Sequence, residues 1–181
     1  MLNVLQHTLQ IKQGDIIESI TELEKLGKKI SSSNLTNENP AINLAGWIRG
    51  IPIIYYPVGL QSVSVRFKNS LSENAKLHAI AEDVIEACHN GIMSWRRKSN
   101  VHPILIEGQD DHIKTKERWK ILKEFFEQNE IEYKEIISVN GSILSKIINL
   151  IYFLDYTTIY KAVLDKIDPT PVKSIDFIKK R

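Results

Sequence analysis

The stretch "IPIIYY", residues 51–56, decides the fold. Ile51, Ile53, Ile54, Tyr55 and Tyr56 are the β-branched and aromatic types that favour strands, and Pro57 and Gly59 close the run. A short, continuous apolar run between turn residues reads as a buried strand. "VHPILIEG" at 101–108 and "IEYKEIISV" at 131–139 are further strand candidates. Between them, "DDHIKTKERWKILKEFFEQN" sets Trp119, Leu122, Phe125 and Phe126 on one helical face. Upstream, "GDIIESITELEKLGKKI" has helical spacing at Ile16, Ile17, Ile20, Leu23 and Leu26, with Asp15 as N-cap and Gly27 near the end. After the polar connector "SSSNLTNENP", Pro40 starts a second helix through "AINLAGWIRG". "GSILSKIINLIYFLDYTTIYKAVLDKI" is apolar nearly all round, which predicts a buried helix. "DPTPVKSIDFIKKR" closes the chain with a short helix after Pro171. Strands alternating with helices across short polar connections define an α/β fold, a parallel sheet with helices on both faces.

Bulk properties set outer bounds. At 181 residues the chain fits one domain with a core that needs no disulfide or metal. A net charge of +2 points away from nucleic acid and from a membrane surface as partners. The longest apolar-rich run, "ILSKIINLIYFLDY", is interrupted by Lys146, Asn149 and Asp155, and reads as too short and too polar to cross a bilayer. No charged-then-apolar leader opens the sequence, and the lone Cys88 excludes an internal disulfide. The expectation is a cytoplasmic, single-domain protein.

Chemistry concentrates in "RFKNSLSENAK", residues 66–76, where three cations and two amides surround one carboxylate, Glu73. The segment follows an apolar, strand-like run downstream of "IPIIYY". In parallel sheets ligands sit outside the carboxyl ends of strands. Glu73 is either a solvated acid beside Lys68 and Lys76 or a general base. His89, in "EACHNGIMSW", reads as a hydrogen-bonded core residue near a helix end. It has no companions at zinc-ligand spacing, and Cys88 reads as a small buried hydrophobe. "WRRKSN" at 95–100 reads as a solvated loop, and no glycine-rich phosphate loop is present. The helix start at "GSILSKI" could hold an anion.

Four segments in order, "NPAINLAGWIRGIPIIYY", "RFKNSLSENAK", "EACHNGIMSW" and "LDYTTIYKAVLDKIDPTPVKSIDFIKK", resemble the C-terminal sugar-isomerase (SIS) domain of the bifunctional phosphoglucose/phosphomannose isomerase family. The resemblance implies a flavodoxin-type, three-layer sandwich over 38–181, after an N-terminal helical segment and linker at 1–37. It implies a phosphorylated hexose as substrate, with neither metal nor organic cofactor. Glu73 matches the family's catalytic base, which moves a proton between C2 and C1 of the open-chain sugar. His89 matches the histidine that assists ring opening across a dimer interface. Lys179 aligns with the C-terminal lysine near the ring oxygen, and Lys180 is the alternative. The chain departs from the pattern at Cys88 and Gly91, beside the histidine, and at Ser72. Family members carry a first SIS domain with the phosphate cradle, and the sequence holds no copy of it. The expected partners are therefore a second copy of the chain or an N-terminal SIS-domain protein. The other reading is a phosphosugar-binding or regulatory module without turnover.

Overall fold

The computed structural model describes residues 11–181. In chain order the elements are α1 (Gln13–Ile30), α2 (Pro40–Trp47), β1 (Ile51–Tyr56), α3 (Gln61–Asn74), β2 (Ile80–Asp83), α4 (Val84–Ala87), a 3-10 helix (Gly91–Arg96), β3 (Val101–Glu107), α5 (Ile113–Gln128), β4 (Lys134–Ile137), α6 (Ile143–Leu164) and α7 (Lys173–Lys179). The four strands form one parallel sheet in the order β2-β1-β3-β4. The "IPIIYY" run is an inner strand, buried from Pro52 to Tyr56, as its unbroken apolar character requires.

Strand parity divides the core. Ile54, Ile104, Ile106 and Ile136 face α2, α3 and α6 on one side of the sheet. Ile53, Tyr55 and Leu105 face Trp119, Leu122 and Phe126 of α5 on the other. A sheet with helices on both faces is the α/β sandwich the sequence predicts. Helix α1 lies outside the first helical layer, along α6, with Tyr160 donating to the carbonyl of Ile30 at 2.6 Å.

Several elements differ in extent from their expected form. Helix α1 begins at Gln13, so Asp15 is a first-turn acid facing the positive end of the helix dipole rather than the N-cap. Its end at Ile30, with Gly27 close before it, is as expected. Strand β4 contracts from nine residues to Lys134–Ile137, the four that align with β3. β2 gave no signal, because "IAED" is short and half polar, as an edge strand can be.

Helix α6 corrects two expectations. It is buried along one stripe, through Ser145, Asn149, Leu150, Leu154 and Thr158, while Ile143, Val163 and Leu164 are exposed. Thr157 and Thr158 donate to the carbonyls of Phe153 and Asp155 within the helix and Asn149 donates to the carbonyl of Glu22 in α1, whereas Ser145 Oγ is buried without a partner among the described residues. At 22 residues the helix also has the length and apolarity to cross a membrane. Here it is instead the centre of a helical layer, in contact with α1, α2 and α3.

The start of α2 is fixed by Asn39, fully buried, whose side chain accepts from Ala41 N (2.9 Å) and Ile42 N (3.2 Å) and donates to the carbonyl of Asn34 (2.8 Å). Pro40 stands at the first helical position, as expected, and Asn39 supplies the cap. Asn39→Ala should lower unfolding free energy by about 1–2 kcal/mol, read from urea denaturation.

Candidate functional site

Residues 66–76 lie on and just beyond the last turns of α3. The strand-like "SVSV" before them is the opening of that helix. Its β-branched residues are tolerated because Val63, Phe67 and Leu71 form a buried stripe at helical spacing. The opposite face of α3 turns a polar ladder towards α6. Arg66 donates from Nε (3.1 and 3.2 Å) and Nη2 (2.6 Å) to both carboxylate oxygens of Asp155, and Ser70 donates to the same carboxylate at 3.1 Å. One turn on, Asn74 donates to Thr158 Oγ1 at 2.8 Å. The hydrogen bonds and charge of Asp155 raise the affinity of Arg66 for its proton, with a smaller contribution from Glu73. The ladder holds the last turn of α3 at a fixed height against α6.

Glu73 stands between two cavities. A groove of about 1060 Å³ between α3 and α6 includes Glu73, Arg66, Asn69, Tyr152, Asp155 and Tyr156 in its lining. A smaller cavity of about 320 Å³ lies between Ser72, Glu73, Lys76 and residues 171–175. These sizes bracket what small-ligand sites enclose, roughly 300–1,000 Å³. The Glu73 side chain is exposed, and its carboxylate accepts no hydrogen bond from the described residues.

The site is not at the edge expected. Helix α3 leaves the carboxyl end of β1 and returns towards the amino end of β2. Twelve residues (73 − 61) at 1.5 Å each place Glu73 about 18 Å along it. Glu73 is therefore at the amino end of the sheet.

His89 is elsewhere. It follows α4, at the carboxyl end of β2 and on the α5 side of the sheet, exposed and without a side-chain hydrogen bond to the described residues. That overturns its reading as a core histidine. It also leaves Glu73 and His89 on opposite faces and at opposite ends of the sheet within one chain. Lys179 and Lys180 are exposed at the end of α7, whose first residues line the smaller cavity with Glu73. Neither lysine lines that cavity or the groove.

Beside His89, Gly91 has a physical reason. A Cβ there would lie 3.0 Å from Glu82 Oε1, so the Glu82 carboxylate fills the space a larger side chain would need. Burial pushes the Glu82 carboxyl up, and the charge of Glu86 adds to it. Cys88 is half-buried rather than buried, and burial raises its thiol while Arg118 opposes the shift. Arg96, Arg97 and Lys98 are exposed, as a solvated segment should be.

The helix start at "GSILSKI" already holds an anion of the chain's own. Glu18 Oε2 of α1 accepts from Ser142 N (2.9 Å) and Ser142 Oγ (2.7 Å), which keeps Glu18 below the usual carboxylate range. Arg66, Ser70 and Asn74 recur at four-residue spacing, a signal the sequence reading passed over, and their partners Asp155 and Thr158 lie more than 80 residues away.

The family model of the bacterial phospho-glucose isomerase C-terminal SIS domain matches residues 37–181. The bifunctional phosphoglucose/phosphomannose isomerase of Thermoplasma acidophilum is 31% identical over 168 residues, covering 91% of this chain and 52% of that protein. The protein of the same name from Caldicellulosiruptor bescii is 28% identical over 188 residues, covering 100% of this chain and 55% of its own length. The chain thus spans about half the length of these relatives. Among solved structures, a glucose-6-phosphate isomerase like protein from Thermus thermophilus superposes with a TM-score of 0.68 at 16% identity, over 87% of this chain and 52% of that one.

Proposed function

The chain belongs to the bacterial phospho-glucose isomerase C-terminal SIS domain family, and from that premise we propose that it supplies the proton-transfer half of an aldose–ketose isomerase acting on glucose 6-phosphate or mannose 6-phosphate. The observation that carries this reading is Glu73, an exposed carboxylate without a hydrogen-bond partner among the described residues, held between two cavities by the ladder joining α3 to α6. A base for a proton alpha to a carbonyl needs a fixed position and a free oxygen. Glu73 takes the C2 proton of the open-chain aldose to give an enediolate, a proton passes from O2 to O1, and Glu73 returns its proton to C1, leaving the ketose with its carbonyl at C2. Ring opening precedes this step and needs acid–base groups near the ring oxygen. Lys179, or Lys180 beside it, serves there, and His89 serves in the site of a neighbouring copy. The separation of His89 from Glu73 within one chain supports that division of labour.

The sugar's phosphate needs an anchor, and the anion-ready start of α6 is already filled by Glu18. A separate N-terminal SIS domain would provide the anchor, since remote binding energy normally supports catalysis. A phosphosugar-binding module without turnover is the second reading. It is favoured by Gly91 and Cys88 flanking the histidine.

A coupled isomerase assay on both hexose phosphates decides between them, with this chain alone and mixed with a separately produced N-terminal SIS domain. Turnover in the mixture exceeding that of either part by at least about 100-fold supports the split enzyme. Phosphosugar binding without turnover selects the second reading.

A further inference from the structure

We propose that Lys76 is a positioning residue, a clasp that holds the C-terminal segment against the Glu73 turn and so sets where the C-terminal lysines reach. This rests on the isomerase reading for its catalytic consequence but not for the clasp itself. Lys76 Nζ donates to three carbonyls: Glu73 at 2.6 Å, Pro171 at 2.8 Å and Pro169 at 3.3 Å. An ammonium has three N–H donors, and all three have acceptors here. Its charge is thereby spent inside the chain, which distinguishes it from a cation waiting for a substrate phosphate. The segment it grips connects α6 to α7 and belongs to no strand.

The backbone makes the same point. Lys76 follows the end of α3 with φ +56°, the left-handed conformation in which helices usually place glycine. Glu130 and Lys166 hold the same conformation after helices, but of these three only the Lys76 side chain reaches a distant segment, joining a turn at residue 73 to residues more than 90 positions later across the smaller cavity that Glu73 lines. The proposed base and the segment carrying Lys179 are thus gripped by one side chain.

Two variants separate backbone from side chain. Lys76→Gly relieves the left-handed backbone and removes the ammonium, whereas Lys76→Met removes only the ammonium. In the full chain, hydrogen exchange over residues 169–179 should rise at least tenfold in both, with exchange in the sheet unchanged. On the assembled enzyme, a double-mutant cycle of Lys76→Met with Lys179→Met, and again with Lys180→Met, should be strongly non-additive for one lysine: the double variant should be no slower than that lysine's single variant. Unchanged exchange in both variants overturns the clasp whether or not the enzyme turns over. Raised exchange with additive losses for both lysines reduces Lys76 to a structural tie and overturns the positioning role. Should the wild-type mixture show no turnover, the isomerase reading fails and the catalytic consequence falls with it, while the exchange data still decide the clasp.

Discussion

Glu73→Gln should abolish turnover in the assembled enzyme and leave the fold unchanged. The side chain is exposed and receives no hydrogen bond from the described residues, so its loss belongs with surface substitutions worth within about 0.5 kcal/mol of stability. The amide keeps the shape of the carboxylate and cannot accept the C2 proton. Removing a positioned general base typically costs about 10²–10⁴-fold in rate, and the expected loss in kcat is at least about 10³-fold. The coupled assay measures this, with thermal unfolding as the control for folding. Interconversion of the sugar's α and β anomers needs ring opening alone, so it should survive in the same variant. Turnover equal to wild type would remove Glu73 from the mechanism.

Phe126→Ala carries the largest expected effect on stability, about 3–5 kcal/mol by urea denaturation. The ring is fully buried, with Trp95 edge-on at 5.3 Å, Tyr133 at 5.7 Å and Tyr55 stacked at 6.4 Å. Domains of this kind are stable by about 5–15 kcal/mol in total, so the variant should unfold at a much lower denaturant concentration. A loss below about 1.5 kcal/mol would mean that the neighbouring rings close over the vacated space. The 3-10 helix is held to this cluster by Trp95, which donates to Tyr55 Oη at 3.2 Å. His89 lies two residues before that helix, so under the proposed division of labour the same variant should also loosen the histidine's reach into the site of a neighbouring copy.

The inner strands, α2 and α5 were legible because each carries a period or an unbroken apolar run with its own punctuation. "IPIIYY" sits at the middle of the sheet, and Pro40 starts its helix as expected. β2 was not legible, since four residues at a sheet edge obtain their order from β1 rather than from composition. Helix α6 misled for a related reason. Its threonines are buried because their hydroxyls bond to the preceding turn, and its isoleucines lie on both faces, so periodicity could not say which side is covered. Glu73 itself was visible as a lone acid among cations and amides. What surrounds it was not, because Arg66 meets Asp155 and Lys76 meets Pro171 only through tertiary structure.

Contact of α6 with α1, α2 and α3 has a consequence for synthesis. A ribosome delivers the chain from its amino end, and three of the helices it releases first wait for a helix that ends at Leu164. Until then the apolar stripes of α2 and α3 have only a growing sheet to cover them, and α1 has little to rest on. Closure of this layer is thus a late event dominated by contacts distant in sequence, the kind that folds slowly and passes through adhesive intermediates. Chains truncated within α6 should be captured by chaperones or degraded, even though every strand of the sheet is already complete.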